Sequence, residues 1–325
     1  MRKNLFCFVF VLLFFINANK LYSQSSAGDM HFGIVTDVQY CDCDSSGQRY
    51  YRMAPGKLSD AMDVLEEANI DFLLNLGDLV DRDLSSYDTI LPILHSKEIE
   101  VYSLLGNHEF SDIPDSEKSS LFERLNMPSP YYSFVENGWR FVFLNSNDIS
   151  TYAYPKGSVA SVYAGDYIKA LGDNPNAHEW NGGIGEKQMQ WLDSLLSSSD
   201  TLGEHVIVAS HHNIFPLSIA SMLNGEELSS LLESHNSVKL VIAGHHHEGS
   251  FVEQNGLHYW TAKAMLDYPD QTAFSIVDIR DNEISIDGYG REPDRVITYE
   301  SDFNLFIQDG TGYGRYPQGE FVIIE

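Results

Sequence analysis

The chain has 325 residues, with 43% apolar and 21% charged residues. That is room for one large domain or two small ones and enough apolar residues for a substantial core, which excludes a wholly disordered protein. The formal net charge of −27 argues against nucleic acid and anionic membranes as partners, because such a surface repels polyanions.

In chain order, Arg2 and Lys3 come first, followed by an apolar run from Leu5 to Ile16, a polar stretch from Asn17 to Gln24 and small residues at 25–27. This is the order of a secretory signal peptide, assigned to residues 1–24. The run of about 12 residues is short of the ~20 that span a bilayer, so a secreted or periplasmic protein is expected, with no stable membrane insertion after cleavage. Cleavage there removes Arg2, Lys3 and Lys20 and no acidic residue, which deepens the negative charge. Cys41 and Cys43 then remain, too close in sequence for an easy intrachain disulfide.

Strands are predicted at 32–35, 72–76, 101–105, 140–144, 206–209, 239–243, 257–261, 273–278 and 283–289. Helices are predicted where Leu58, Ala61, Met62, Leu65 and Ala68 share one face and over 186–198 with Met189, Leu192, Leu195 and Leu196. The early part reads β-α-β-α and the later part mostly β. Residues 147–185, rich in Gly, Asn, Tyr and Ser without periodicity, read as a lid-like insertion or substrate wall. The organisation predicted is a single α/β domain over 29–295 and an extension over 296–325 of no assignable role, with weak strand-like runs at 296–299 and 321–324. No pattern speaks to oligomeric state.

Five predicted strands each end in a candidate metal ligand. Asp37 and Gln39 follow the first. Gly77, Asp78 and Asp81 follow the second, and Gly106, Asn107, His108 and Glu109 the third. His211 and His212 follow the fifth, and Gly244, His245, His246 and His247 the sixth. In open α/β sheets, ligands bind at the carboxyl ends of strands, so these residues can converge. Two divalent ions need a bridging carboxylate and mixed O and N donors. Asp78 is the natural bridge. One ion takes Asp37, Gln39, Asp78 and His247; the other takes Asp78, Asn107, His211 and His245. Such donors suit manganese, with Fe, Zn and Mg also open.

As an ordered set, Asp37-x-Gln39, Gly77-Asp78-x-x-Asp81, Gly106-Asn107-His108-Glu109, His211 and Gly244-His245-x-His247 resemble the calcineurin-like metallophosphoesterase signature over residues 32–291. The resemblance implies a four-layer α/β/β/α sandwich and a catalytic His108 that contacts the scissile phosphate and protonates the leaving group. Glutamine at position 39, where most of that superfamily has histidine, resembles the branch of manganese-dependent ADP-ribose/CDP-alcohol diphosphatases. Tyr50-Tyr51-Arg52 and Asn181-Gly182-Gly183 are similar to segments of those enzymes.

The expected function is hydrolysis of a small phosphorylated substrate, first a nucleoside-diphosphate-linked alcohol or sugar. Arg52 and Tyr51 are the candidate substrate contacts, Arg52 because a planar guanidinium suits phosphate oxygens. Asp81 is assigned to hold a ligand or His108 in place. The alternatives are a broad phosphomonoesterase or phosphodiesterase, and a metal- or ligand-binding protein without catalysis.

Overall fold

The computed structural model describes residues 28–280 and 282–299, and the backbone of 306–308, 311–315 and 321–323. The signal-peptide assignment lies outside the described residues.

Two six-stranded mixed sheets form the centre. The first is built from β1 (Met30–Val35), β2 (Phe72–Asn75), β3 (Glu100–Ser103), β10 (Ala273–Arg280), β11 (Glu283–Gly290) and β12 (Arg295–Thr298), in the order β12-β11-β10-β1-β2-β3. β1, β2 and β3 run parallel, and β10 joins β1 antiparallel. The second contains β4 (Tyr132–Glu136), β5 (Trp139–Phe143), β6 (His205–Ser210), β7 (Val238–Ala243), β8 (Ser250–Gln254) and β9 (Leu257–Thr261), in the order β4-β5-β6-β7-β9-β8. Its four central strands are parallel, and β4 and β8 close the edges antiparallel.

The period of two along each strand assigns side chains to layers. Phe141, Phe143, Ile207, Ile242 and Trp260 point into the core shared with Phe32 and Phe72 of the first sheet, where the Phe32 and Phe141 rings meet edge-on at 5.3 Å. Their neighbours Val142, Val206, Val208 and Val241 point the other way, onto Leu192 and Leu196 of α5 (Glu186–Leu202) and Leu228 and Leu232 of α6 (Gly225–Glu233). The outer face of the first sheet is covered by α1 (Ala54–Glu67), which turns Ala54, Leu58, Ala61, Met62 and Leu65 inward, and by α2 (Ser86–Leu94). The result is the expected helix–sheet–sheet–helix sandwich. Gly203, left-handed at φ 68°, ends α5 four residues later than the predicted helix.

Three expectations change. The insertion over 147–185 is not without regular structure, because α4 (Val159–Ala170) occupies its middle, and the short α3 (Leu121–Arg124) precedes β4. α4 buries only Ala164, so it has no apolar stripe for a sequence to reveal. The sheet runs past residue 295, since β12 pairs with β11; beyond it, β13 (Phe306–Gln308), β14 (Thr311–Arg315) and β15 (Phe321–Ile323) form a small antiparallel sheet. Cys41 and Cys43 are disulfide-bonded after all: the backbone bends between them and brings their Cα atoms to 5.2 Å, inside the range a disulfide spans.

Candidate metal centre

The loops that leave β1, β2, β6 and β7, and the loop after β3, meet at one end of the two sheets. Asp37, Gln39, Asp78 and His245 all adopt left-handed backbone conformations, with φ of 52°, 44°, 53° and 66°. Non-glycine residues rarely accept this, and such outliers cluster at functional sites where surrounding structure holds them. Here the surroundings are backbone ties: Asp37 N–H donates to Gly77 O and Gln39 N–H to Asp78 O. Glu109, fully buried, accepts from the amides of Asp78 (2.9 Å), Gly106 (2.6 Å) and Leu79, which locks the second loop to the third. Burial, with the neighbouring Asp78 charge, pushes the Glu109 carboxyl up to about 7.

Asp78 sits at the centre. Its Oδ2 is 2.9 Å from Gln39 Nε2 on one side and 3.2 Å from His211 Nε2 on the other. The first side is completed by His247, whose Nε2 is 3.1 Å from Gln39 Nε2 and 3.5 Å from Asp37 Oδ1. The second is completed by Asn107, whose Oδ1 lies 3.3 Å from His211 Nε2, and by His245, which offers a ligand atom within 4.8 Å of those of Asp78 and His211. The seven residues predicted as ligands are therefore brought together around Asp78, with Asp37, Gln39 and His247 on one side and Asn107, His211 and His245 on the other.

The remaining hydrogen bonds orient the rings. His211 Nδ1 donates to Leu76 O at 2.9 Å, which turns its Nε2 toward Asp78 and Asn107. His247 Nδ1 faces Asp267 Oδ1 at 3.0 Å. His245 Nε2 faces Asn181 Oδ1 at 3.0 Å, and the Asn181 amide orientation is set because its Nδ2 donates to Asn176 O and Ile219 O. His245 Nδ1 is thus left with a lone pair. Beneath it lies His212, held by Ser146 Oγ, Tyr152 and Trp180 O; burial and then the neighbouring His211 depress it to about 3, so it is neutral. Burial opposes ionisation of Asp78, but His211 and His108 outweigh it and hold the carboxyl well below its usual range. Burial likewise opposes a charge on His211, and Asp78 outweighs it, raising His211 to about 9. The cluster therefore draws positive charge to the point between Asp78 and Asn107.

His108 stands beside this centre. Its backbone N–H donates to Asp78 Oδ1 at 2.8 Å, its ring Nδ1 is 2.9 Å from Asp81 Oδ1, and its Nε2 is 3.4 Å from Arg49 Nη1. Asp81 is thus the carboxylate that faces His108 Nδ1.

Arg52 and Tyr51 are not brought to the cluster. Arg52 is half exposed and paired with Asp42 and Asp44, at 2.5 and 2.6 Å. Tyr51 is 2% exposed, packed with Cys41 and Leu266 under the Arg82 guanidinium. The 3₁₀ turn at Tyr51–Met53 carries Arg52 outward, and the cation at His108 is Arg49 instead. Arg49, Asn181 and Asp267 are the residues that sequence reasoning left without a role. Arg49 adjoins the Tyr-Tyr-Arg segment, and Asn181 lay in a quoted motif, but Asp267 stands in a turn with no sequence signal.

A calcineurin-like phosphoesterase family model matches residues 27–249. The chain belongs to the calcineurin-like phosphoesterase family. This family member is a metal-dependent hydrolase of phosphate esters. It is 31% identical over 299 residues to the manganese-dependent ADP-ribose/CDP-alcohol diphosphatase of Arabidopsis thaliana, covering 80% of this chain and 94% of that protein. It is 28% identical over 316 residues to the protein of the same name from Danio rerio, covering 82% and 98%. Among solved structures, a dimetal phosphatase from Danio rerio superposes with a TM-score of 0.77 at 29% identity, covering 83% of this phosphoesterase and 99% of that chain.

Proposed function

We propose that this phosphoesterase is a two-metal diphosphatase that cleaves the phosphoanhydride of a nucleoside-diphosphate-linked alcohol or sugar outside the cytoplasm. The observation that carries the diphosphate reading is Arg49. It places a second cation 3.4 Å from the His108 imidazole, beyond the carboxylate-rich metal cluster, where a second phosphate of the substrate is met. The similarity to the diphosphatases of Arabidopsis and Danio supports the same substrate class.

The residues fit a pair of divalent ions. Asp37 Oδ1 and Gln39 Oε1 are buried polar atoms without a hydrogen-bond partner, and buried orphans of this kind call for a ligand. A half-turn of the Gln39 amide puts Oε1 at the point where Asp78 Oδ2 and His247 Nε2 converge. Space for ligation is kept by glycine: a Cβ at Gly106 falls 2.1 Å from Asp78 Oδ1, and one at Gly244 falls 2.8 Å from Asp37 Oδ2. Asp37, Gln39, Asp78 and His247 would hold one ion, and Asp78, Asn107, His211 and His245 the other; carboxylate, amide and imidazole donors suit manganese. When bound, the ions supply a water of lowered pKa and positive charge opposite the phosphoryl oxygens.

The protein's own part is positioning and proton transfer. Arg49 holds the phosphate that departs. Once Arg49 turns from His108 Nε2 to the substrate phosphate, protonated His108, oriented by Asp81, donates its Nε2 proton to the leaving oxygen as the bond to phosphorus breaks. Residues of the 147–185 segment wall the site: Asn147 ties to Leu105 O and Tyr152 reaches His212, while Trp180 stacks on His178.

Extracytoplasmic location rests on the signal-like residues 1–24 and is supported by the Cys41–Cys43 disulfide, since such bonds persist in oxidising compartments. Among the described residues, no helix is long and apolar enough to cross a membrane. The experiment is turnover of ADP-ribose, a CDP-alcohol, p-nitrophenyl phosphate and bis-p-nitrophenyl phosphate with Mn²⁺, against Asp78→Asn as the blank. Preferred release of nucleoside monophosphate from the two diphosphates is expected. Preference for the nitrophenyl esters would replace the diphosphatase reading by that of a broad phosphoesterase. Activity equal to the blank on all four would favour a binding protein.

A further inference from the structure

Lys57 is on the apolar face of α1 and only 8% exposed. Its neighbours on that face are Ala54, Leu58 and Ala61, so nothing in the helix calls for a charge there. The ammonium points instead into the turn that follows β9. It donates to the carbonyl oxygens of Met265 (3.0 Å), Leu266 (2.9 Å), Asp267 (3.0 Å) and Tyr268 (2.5 Å). Arg291 donates to the preceding carbonyl, that of Ala264. Five consecutive carbonyls are therefore turned toward two cations. Oxygens gathered in this way repel one another and lose their hydration, and only a charge among them makes the arrangement stable.

The other edge of this turn is stitched to one half of the metal cluster. Ala264 N–H donates to His247 O, Met265 N–H to Thr36 O, Leu266 N–H to Asp37 O and Tyr268 N–H to Gln48 O. The side chain of Asp267, 2% exposed, accepts from His247 Nδ1 at 3.0 Å. Asp37 and His247 are both ligands of the first ion. Among the described residues, this turn makes no hydrogen bond to Asn107, His211 or His245, the ligands of the second. Burial and Arg291 pull the Lys57 ammonium down to about 8, with Asp267 and Asp270 opposing, so it is charged at neutral pH.

We propose that Lys57 is a positioning residue for one ion of the two: it braces the 264–268 turn so that Asp267 holds His247 in its ligating orientation. This rests on the two-metal reading above. The residues that belong to the second ion alone are framed by Glu109, Asn181 and Leu76 O, not by this turn, so the effect is expected to fall chiefly on the first ion even though Asp78 is shared. Partners that orient a ligating histidine are typically worth about 10–100-fold in metal affinity, which sets the scale expected here.

The test is equilibrium dialysis of the full mature chain against Mn²⁺. Wild type is expected to bind two equivalents. Lys57→Met, which keeps the shape of the stem and removes the charge, is expected to keep one equivalent at wild-type affinity and to weaken the other by about tenfold or more. Asp267→Asn is expected to do the same without touching the carbonyl cage. In Lys57→Ala, added n-propylammonium restores the weakened equivalent and methylammonium does not, because only the former replaces the missing stem and charge. Two equivalents of unchanged affinity in Lys57→Met, or equal weakening of both, would overturn the inference. Should Lys57→Met not fold, the Asp267→Asn result and the propylammonium response decide, and no selective loss or no gain overturns it. Fewer than two equivalents in wild type would sink the two-metal reading, and this inference with it.

Discussion

His108 Nδ1 and Asp81 Oδ1 lie 2.9 Å apart, with Asp81 2% exposed. Burial works against a proton on His108, but Asp78 and Asp81 outweigh it and raise its pKa. A general acid must carry its proton, so activity is present below the raised value and lost as pH rises through it. Asp81→Asn removes part of that support. The descending limb of kcat against pH is expected to move to lower pH, and kcat to fall by about 10–100-fold with metal retained, less than the roughly 10²–10⁴-fold a general acid contributes, because the imidazole itself is kept. A descending limb that stays in place counts against the pairing.

Arg49 and Arg52 are three residues apart and are expected to behave oppositely. Arg49→Ala removes the cation at His108 and is expected to lower kcat/KM on ADP-ribose by about 10–100-fold, the worth of one charge-assisted hydrogen bond. Its effect on bis-p-nitrophenyl phosphate, which has one phosphorus, is expected to be several-fold smaller. Arg52→Ala, at an exposed ion pair, leaves both substrates within about twofold. Steady-state kinetics on the two substrates makes the comparison, and equal losses for Arg49→Ala on both would remove it from the second phosphate.

Gly106→Ala tests how tightly the ligands are packed. The added Cβ meets Asp78 Oδ1 at 2.1 Å and His211 Nε2 at 2.6 Å, both side-chain atoms of the cluster. The variant is expected to fold, since the clash lies outside the apolar core, and to lose bound metal. Metal content measured beside far-ultraviolet circular dichroism separates the two effects. A folded variant with full metal would show that the ligands have room to spare.

The Arg140–Glu204 pair makes stability depend on pH. Arg140 Nε and Nη2 grip Glu204 at 2.7 and 3.0 Å, and Ser199 Oγ adds a bond at 2.8 Å, tying β5 to the loop between α5 and β6. Burial pushes the carboxyl up, but the Arg140 and Ser199 bonds outweigh it and leave the folded pKa below the usual value. Its stabilisation is therefore full above the ordinary glutamate pKa of about 4.3 and lost as pH falls through the lower folded value. Glu204→Gln is expected to cost about 1–3 kcal/mol at pH 7 and less as the medium is made acid. Urea unfolding of both proteins across that pH range reads the difference; a gap that stays constant in acid would show that charge is not its source.

The nine predicted strands were legible as short apolar runs, continuous where both faces are buried and alternating in the later ones, and one of them, Leu257–Thr261, has the predicted bounds. β4 and β8, at the edges of their sheet, bury too little to repeat the pattern, and α4 is so exposed that it has none. That the polar residues now around Asp78 would meet was legible too, because each stands just after a strand and strand ends are brought together by the sheet itself.

The sequence by itself thus determined nine of the strands, the sandwich class through the resemblance those strand ends carry, and the order of the polar residues at the strand ends. Only the tertiary structure decided which polar residue of a loop faces the site. Arg49 reaches His108 across 59 residues of chain while Arg52 turns outward to Asp42 and Asp44. Asp267 finds His247, and Asn181 finds His245 across 64 residues, through the folding of separate loops. The physical reason is range. Periodicity records burial along a single element, whereas the direction of a side chain in an aperiodic loop is set by partners that reach it only when the chain has folded.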